Sequence, residues 1–224
     1  SVTVKGVVVD GVYSTLSLTS EDKYNTYSGF ELEQNSTLKL DSVKVTGNDT
    51  LITVKDDSAR IYLTNSYVDG DIVSDSIGYT VNVSNNFVMT GEFKNAAVIS
   101  TTSNMVFGTN TFADTNTTLM LTEAKVNFVN NKYDNYAINK LSTDALTTFK
   151  FDLNVVSSKS DCITLNSFIG SKKIIIEEFN VVGTKEDITN FTGASLLVGA
   201  GTVVLGEKAI QQLEELTITM PPEK

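Results

Sequence analysis

Residues 61–68 read IYLTNSYV. Two apolar residues one apart, Ile61 and Leu63, are followed by a polar turn holding Asn65, and a second apolar run opens at Tyr67. A period of two marks a strand with one buried face, and Asn suits the turn because it bonds nearby backbone and tolerates left-handed conformation. The pattern recurs in both directions: LKLDSVKV (38–45), VNVSNNFV (81–88), MVFGTNTF (105–112) and VNFVNNKY (126–133). With Leu40, Leu63, Val83, Phe107 and Phe128 as equivalent inward positions, the spacings are 23, 20, 24 and 21. Strands and Asn turns at a period near 22 predict a coiled, stacked sheet, each coil burying its apolar face only against its neighbours. The five residues are then expected in one interior column. Asn65, Asn85, Asn86, Asn110, Asn130 and Asn131 are expected to stack at the turns.

Composition agrees. Apolar residues make up 41% of the 224, enough for a packed core. Pro221 and Pro222 are the only prolines, so every expected rung keeps its backbone N–H. Two β-sandwich domains of about 110 residues are the competing fold. The short period, the missing tryptophan and the missing cysteine pair speak against them. Strand alternation excludes a helix-rich fold.

The coils are assigned to residues 29–206, with 1–28 as an N-terminal coil or cap. The pattern loosens over 134–148 (DNYAINKLSTDALTT), where a longer loop is expected. ASLLVGAGTVVLG (194–206) is too short for a membrane span and reads as two strands. In GEKAIQQLEELTI (206–218) the period becomes helical, and residues 207–224 are expected to form a helical cap and a linker. Ala209, Ile210 and Leu213 would face the last coil, with Glu207, Gln211, Gln212, Glu214 and Glu215 mainly outward. No signal peptide is visible, and a chain starting without Met and ending in PPEK reads as an excerpt of something longer.

The 17 basic and 27 acidic residues leave a net charge of −10, with Arg60 the only arginine. Nucleic acid is therefore a poor partner, since phosphate binding needs clustered cations. No histidine is present, which removes Ser-His and Cys-His nucleophile pairs and most zinc sites. Cys162, the only cysteine, reads as a small buried filler. No cofactor is expected.

Two acidic groups have the residue types for chemistry. Asp56, Asp57 and Arg60 offer the acids and base of a polysaccharide lyase or hydrolase, although all three fall in one turn. Asp69, Asp71 and Asp75 crowd one loop where calcium could sit, without EF-hand spacing. Glu177–Glu178 and Glu214–Glu215 are adjacent and expected to point apart. Tyr13, Tyr24, Tyr27, Tyr62, Tyr67, Tyr79, Tyr133 and Tyr136 are the expected exposed aromatics, able to stack on sugars or a protein partner if they share a face.

One segment carries a resemblance. FKFDLNVVSSKSDCITLNSFIGSKKIIIEEFNVV (149–182) is similar to the distal part of autotransporter (pertactin-like) passenger domains. The likeness lies in Phe151-Asp152, Ser160-Asp161, Ile163 and Leu165, Gly170, then Ile174 and Ile176, with Cys162 where such stretches usually carry Lys. FGTN (107–110) and FVNN (128–131) resemble the F-x-x-N repeats of polymorphic outer-membrane passengers, without their GGA-type companion. The resemblance implies a right-handed single-stranded parallel β-helix, secreted or displayed on a bacterial surface. It implies an adhesin-like rod without catalytic residues, a monomer or weak self-associate meeting a host or bacterial surface protein or glycan. A carbohydrate-active β-helix enzyme or a carbohydrate-binding module is the alternative.

Overall fold

The computed structural model describes residues 3–9, 15–19, 26–75, 78–102, 104–108, 112 and 116–217. The chain shuttles between two sheets. The first runs, in spatial order, Thr3–Val9, Thr26–Leu32, Lys44–Val54, Tyr67–Ser74, Phe87–Met89, Asn104–Phe107, Lys125–Asn127, Thr148–Asn154, Lys173–Val182 and Thr202–Leu205. The second runs Thr15–Thr19, Thr37–Asp41, Arg60–Thr64, Tyr79–Ser84, Ala96–Thr101, Thr118–Leu121, Asn135–Thr143, Cys162–Gly170 and Leu197–Gly199. Neighbours along both paths are parallel, and successive strands of a sheet are one coil apart in sequence. This is the expected parallel β-helix, wound in the right-handed sense that parallel crossovers favour. Among the described residues one pairing is antiparallel, where Lys159–Ser160 folds back on Leu153 and Asn154. The strands Thr3–Val9 and Thr15–Thr19 join one sheet each.

Like stacks on like inside. Leu16, Leu38, Ile61, Val81, Ile99, Leu119, Leu141 and Phe168 face one another in register through eight coils of the second sheet. At about 4.8 Å per rung, each side chain closes the gap left by the one before. Tyr27, Val45, Val68, Met89 and Phe107 form a facing column in the first sheet.

The expected five-residue column divides between the sheets. Leu40, Leu63 and Val83 are in register in the second sheet, whereas Phe107 pairs with Met89 in the first. Phe128 extends the line of Phe107, since Met105 and Val126 pair two residues before them. All five belong to one core. Each coil holds two strands that both end in a polar turn, so MVFGTNTF matches VNVSNNFV with a slip of half a coil. From Val83 the column instead passes through buried Thr101, then Leu121 and buried Thr143.

At the corner after the second-sheet strands, Ser42, Asn65, Asn85 and Glu123 take left-handed backbone, with φ of 58°, 49°, 59° and 48°. Asn65 Nδ2 donates to Ser42 Oγ at 3.0 Å, and Asn65 N donates to Ser84 O at 3.2 Å, so this asparagine ties three coils together. Asn110 lies outside the described residues.

Residues 134–148 do not leave the coil. Asn135–Thr143 is a nine-residue strand burying Tyr136, Ile138, Leu141 and Thr143. Its inward set shifts from even to odd positions between Ile138 and Leu141, which breaks the alternation in sequence. The next strand of the second sheet, Cys162–Gly170, makes the matching shift, from odd to even positions, between Leu165 and Phe168.

The helix Glu207–Thr217 covers part of the last coil with a different face from the one expected. Ala209 and Leu216 are buried and Leu213 packs on the core, but Ile210 is 43% exposed. Thr202–Leu205 pairs only with Lys173–Ile176, leaving the edge at Phe179 without a strand. Gln212, expected to face solvent, supplies the missing partner. Its Oε1 accepts from Phe179 N at 2.9 Å and its Nε2 donates to Phe179 O at 2.8 Å. One side-chain amide thus reproduces both bonds of a rung. Lys208 Nζ adds an ion pair to Glu178 at 2.7 Å. Deleting residues 207–224 is expected to leave the β circular-dichroism signal intact while causing concentration-dependent association, because an uncovered edge and apolar end invite another chain. A truncated chain that stays monodisperse in light scattering would show that this end needs no cover.

Candidate functional site

Outward positions of the first sheet border two adjoining depressions. Asn104, Lys125 and Thr148 stand in one register line, and Val106, Asn127, Lys150 and Glu178 in the next. Between them lies a depression of about 320 Å³ bordered by Asn104, Val106, Lys125, Thr148, Lys150 and Glu177. A second, of about 220 Å³, continues past Asn127 and Lys150, which border both, to Glu178 and Asn180. Together they make a shallow trough across four successive strands, about 14 Å along the coil axis at ~4.8 Å per rung.

Glu177 and Glu178 were expected to point apart. The strand pairing slips between Phe149↔Ile176 and Lys150↔Glu178, leaving Glu177 as an extra residue in a bulge, and both carboxylates border the trough. Thr148 Oγ1 donates to Glu177 Oε2 at 3.4 Å. Lys150 pairs with Glu178 at 3.2 Å. With Lys208 and Lys150 both against it, the Glu178 carboxyl is held below its usual range. Lys125 makes none of the ion pairs seen among the described residues.

A buried acidic network lies behind Asn180. Asp152 and Asp161 are both essentially inaccessible. Asp152 Oδ2 accepts from Asn130 N at 2.8 Å and Asn131 N at 3.1 Å, while its Oδ1 accepts from Asn180 Nδ2 at 2.8 Å. Asp161 accepts from Asp134 N at 3.0 Å and Asp152 N at 2.7 Å. Burial pushes the Asp161 carboxyl up to about 7 against the opposing pull of those two N–H groups, with the Asp152 and Asp134 charges adding to the rise. The buried Tyr136 ring stacks on Phe128 at 3.8 Å, and among the described residues its hydroxyl meets no partner within hydrogen-bond geometry. Burial, then the charges of Asp161, Asp134 and Asp152, raise that phenol. Asp161 has the titration of a general acid but no access to a substrate. Asp152 and Asp161 act as hydrogen-bond anchors for the Asn130–Asn131 turn and the hairpin.

Among the acids singled out from sequence, Asp56 is engaged within its own turn, whereas Asp69 and Asp71 bond to neighbouring coils. Asp56 accepts from Ser58 N at 2.9 Å and from the Ser58 hydroxyl, and the hydroxyl bond is the main reason its carboxyl titrates low. Asp57 is exposed on the same turn. Arg60 stands on the outer face of the second sheet between Thr37 and Thr80, in none of the ion pairs among the described residues. The three do not form a cleft.

Asp69 accepts from Thr90 Oγ1 and, at 3.4 Å, from Thr46 Oγ1. Asp71 instead accepts from Glu92 N at 2.8 Å and pairs with Lys94 at 3.7 Å. Asp75 is exposed, and among the described residues no three acidic, Cys or His groups converge on a metal position.

The described tyrosines share no strip. Tyr27, Tyr79 and Tyr136 are buried in the core. Tyr62 is exposed on the second sheet beneath Lys39 Nζ at 5.4 Å, and Tyr67 lies under Lys44 on the first at 5.2 Å. Tyr133 is half-buried, and Tyr13 and Tyr24 lie outside the described residues. Cys162 is half-buried rather than buried, and partial burial raises its thiol.

Comparison with known proteins finds no matching family model, no similar curated protein and no similar solved structure. No described helix is long and apolar enough to cross a membrane.

Proposed function

We propose that this chain is a stretch of a non-enzymatic, adhesin-like rod of the autotransporter-passenger type, displayed on or secreted from a bacterial cell. Its outer sheet faces meet a surface protein or glycan. The observation that carries the reading is the division of labour among the acids. Asp56 is bonded within its own turn, Asp69 and Asp71 are bonded to neighbouring coils, those at the hairpin are buried as anchors, and the first sheet offers a shallow polar trough along the coil axis. A stacked sheet suits such a task, because one fixed spacing repeats over a long surface.

Beads coated with residues 1–224 are expected to retain bacterial or host cells above the level of albumin-coated beads. The soluble chain is expected to release no reducing or unsaturated ends from a panel of acidic polysaccharides. Cleavage abolished by Asp57→Ala or Arg60→Ala would overturn the reading in favour of a carbohydrate-active enzyme.

A further inference from the structure

We propose that Asn190 is an acceptor for N-linked glycosylation, modified by a transferase whose donor is a sugar activated as a glycosyl pyrophosphate. The tripeptide Asn-x-Ser/Thr, with x other than proline, is what such transfer requires of the acceptor chain. Five occur here: Asn35-Ser36-Thr37, Asn48-Asp49-Thr50, Asn82-Val83-Ser84, Asn116-Thr117-Thr118 and Asn190-Phe191-Thr192. In the transfer, Asn190 Nδ2 attacks the anomeric carbon of the sugar. The bond from that carbon to the phosphate oxygen breaks, and its electron pair leaves with the pyrophosphate. One amide proton is released as the C–N bond forms, and nothing is oxidised or reduced. The assignment does not depend on the adhesive reading, because it concerns how the chain is decorated and not what it binds.

The fold decides among the five. A transferase must draw the tripeptide into a groove, which needs an exposed amide and a backbone not tied into a ladder. Asn35 sits in a left-handed turn, φ 53°, ahead of the fully buried Ser36, and Thr37 pairs with Thr15 on one side and Arg60 on the other. Asn82 lies in a strand paired on both sides, and the Ser84 hydroxyl shares a 2.8 Å hydrogen bond with Thr64 Oγ1. Asn116 is exposed, but Thr117 is fully buried and Thr118 pairs with Lys140. The side chain of Asn48 lies outside the described residues.

Asn190 differs on every count. It ends the 3-10 turn Asp187–Asn190, and residues 191–195 belong to no strand or helix. Asn190 and Thr192 are both exposed, and among the described residues neither side chain is hydrogen-bonded. Phe191 between them is extended, with φ −72° and ψ 121°, and packs on the core as the anchor of the loop. Phe191 N donates to Ile188 O at 3.1 Å and Thr192 N to Ser158 Oγ at 2.9 Å, which are loop bonds and not ladder rungs. A methyl group on the neighbouring Gly193 would meet no atom within 4 Å, so the approach is open.

The folded chain, incubated with each of two transferase systems, tests this by peptide mass spectrometry. One is an oligosaccharyltransferase with a polyprenyl-pyrophosphate oligosaccharide, the other a soluble N-glycosyltransferase with UDP-glucose, and the system that labels the chain identifies the donor. Transfer to Asn190 is expected to exceed that to Asn35, Asn82 or Asn116 at least about tenfold, because opening a ladder strand costs more than freeing a loop. Synthetic peptides of residues 33–39, 80–86, 114–120 and 187–195 are expected to be labelled without that preference. Asn190→Gln and Thr192→Ala are expected to abolish the transfer and Thr192→Ser to retain it. Both side chains are exposed, and melting curves verify that the variants stay folded. Refusal of Asn190 by both systems, in the chain or in its peptide, would overturn the assignment. So would equal labelling of Asn82 in the folded chain, or labelling of Thr192→Ala at the level of the parent.

Discussion

Phe128→Ala is expected to lower the unfolding free energy by about 3–5 kcal/mol, the cost of emptying a large site in a close-packed core. Phe128 is fully buried and touches four rings: Phe107 at 6.3 Å between centroids, Tyr136 at 3.8 Å, Phe149 at 6.0 Å and Phe151 at 5.8 Å. These rings come from both sheets, so the cavity cannot close by shifting one strand. Phe107→Ala is expected to cost a similar amount, since Phe87, Phe93 and Phe112 surround it. The exposed Asp57 gives the contrast: Asp57→Ala is expected to change stability by less than about 0.5 kcal/mol. Urea melts check the order. A larger loss for Asp57→Ala than for Phe128→Ala would refute the assignment of the core.

The second large effect is on pH. Asp161 has its folded pKa raised from 3.8 to about 7. The folded chain therefore keeps a proton that the unfolded chain has lost across that window, and stability falls as pH rises from about 4 to about 7. A shift of this size, discounted for partial screening, is worth roughly 2 kcal/mol. The groups facing Asp161 are the Asp134 and Asp152 carboxyls, the Tyr136 phenol and the Cys162 thiol. Asp144 and Glu178, both held low, act in the opposite sense: their contribution is present above their ordinary range and is lost as pH falls through their depressed values. The chain is thus expected to be more stable near pH 5 than near pH 8. Asp161→Asn should flatten that slope, although its amide would turn an N–H toward a backbone donor and lower stability overall. A slope unchanged in Asp161→Asn would assign the effect to net charge alone.

The sequence carried the architecture because coil formation depends on local rules. Alternation around Ile61 and Leu63, left-handed turns at Asn65 and Asn85, and proline-free strands each act within a few residues, and the repeat makes them agree. The helix beginning at Glu207 was legible for the same reason. Which sheet a strand joins was not legible. Both strands of a coil look alike, and at Thr101 and Thr143 the inward residue is a hydroxyl that only its stacked neighbours make tolerable; Thr143 shares a 2.7 Å hydrogen bond with Ser171.

The site was hidden for a related reason. Lys125, Lys150 and Glu177 are unremarkable surface residues in sequence, and they meet only because rungs 23 to 29 residues apart stack in register and one bulge turns Glu177 outward. Asp161 likewise appears as a loop acid until the hairpin and the preceding coil close over it. Local pattern by itself determined that this chain winds into stacked parallel strands around one apolar interior. Tertiary structure alone decided which charges are buried, which are bonded and which face outward, because those depend on register between coils rather than on neighbours along the chain.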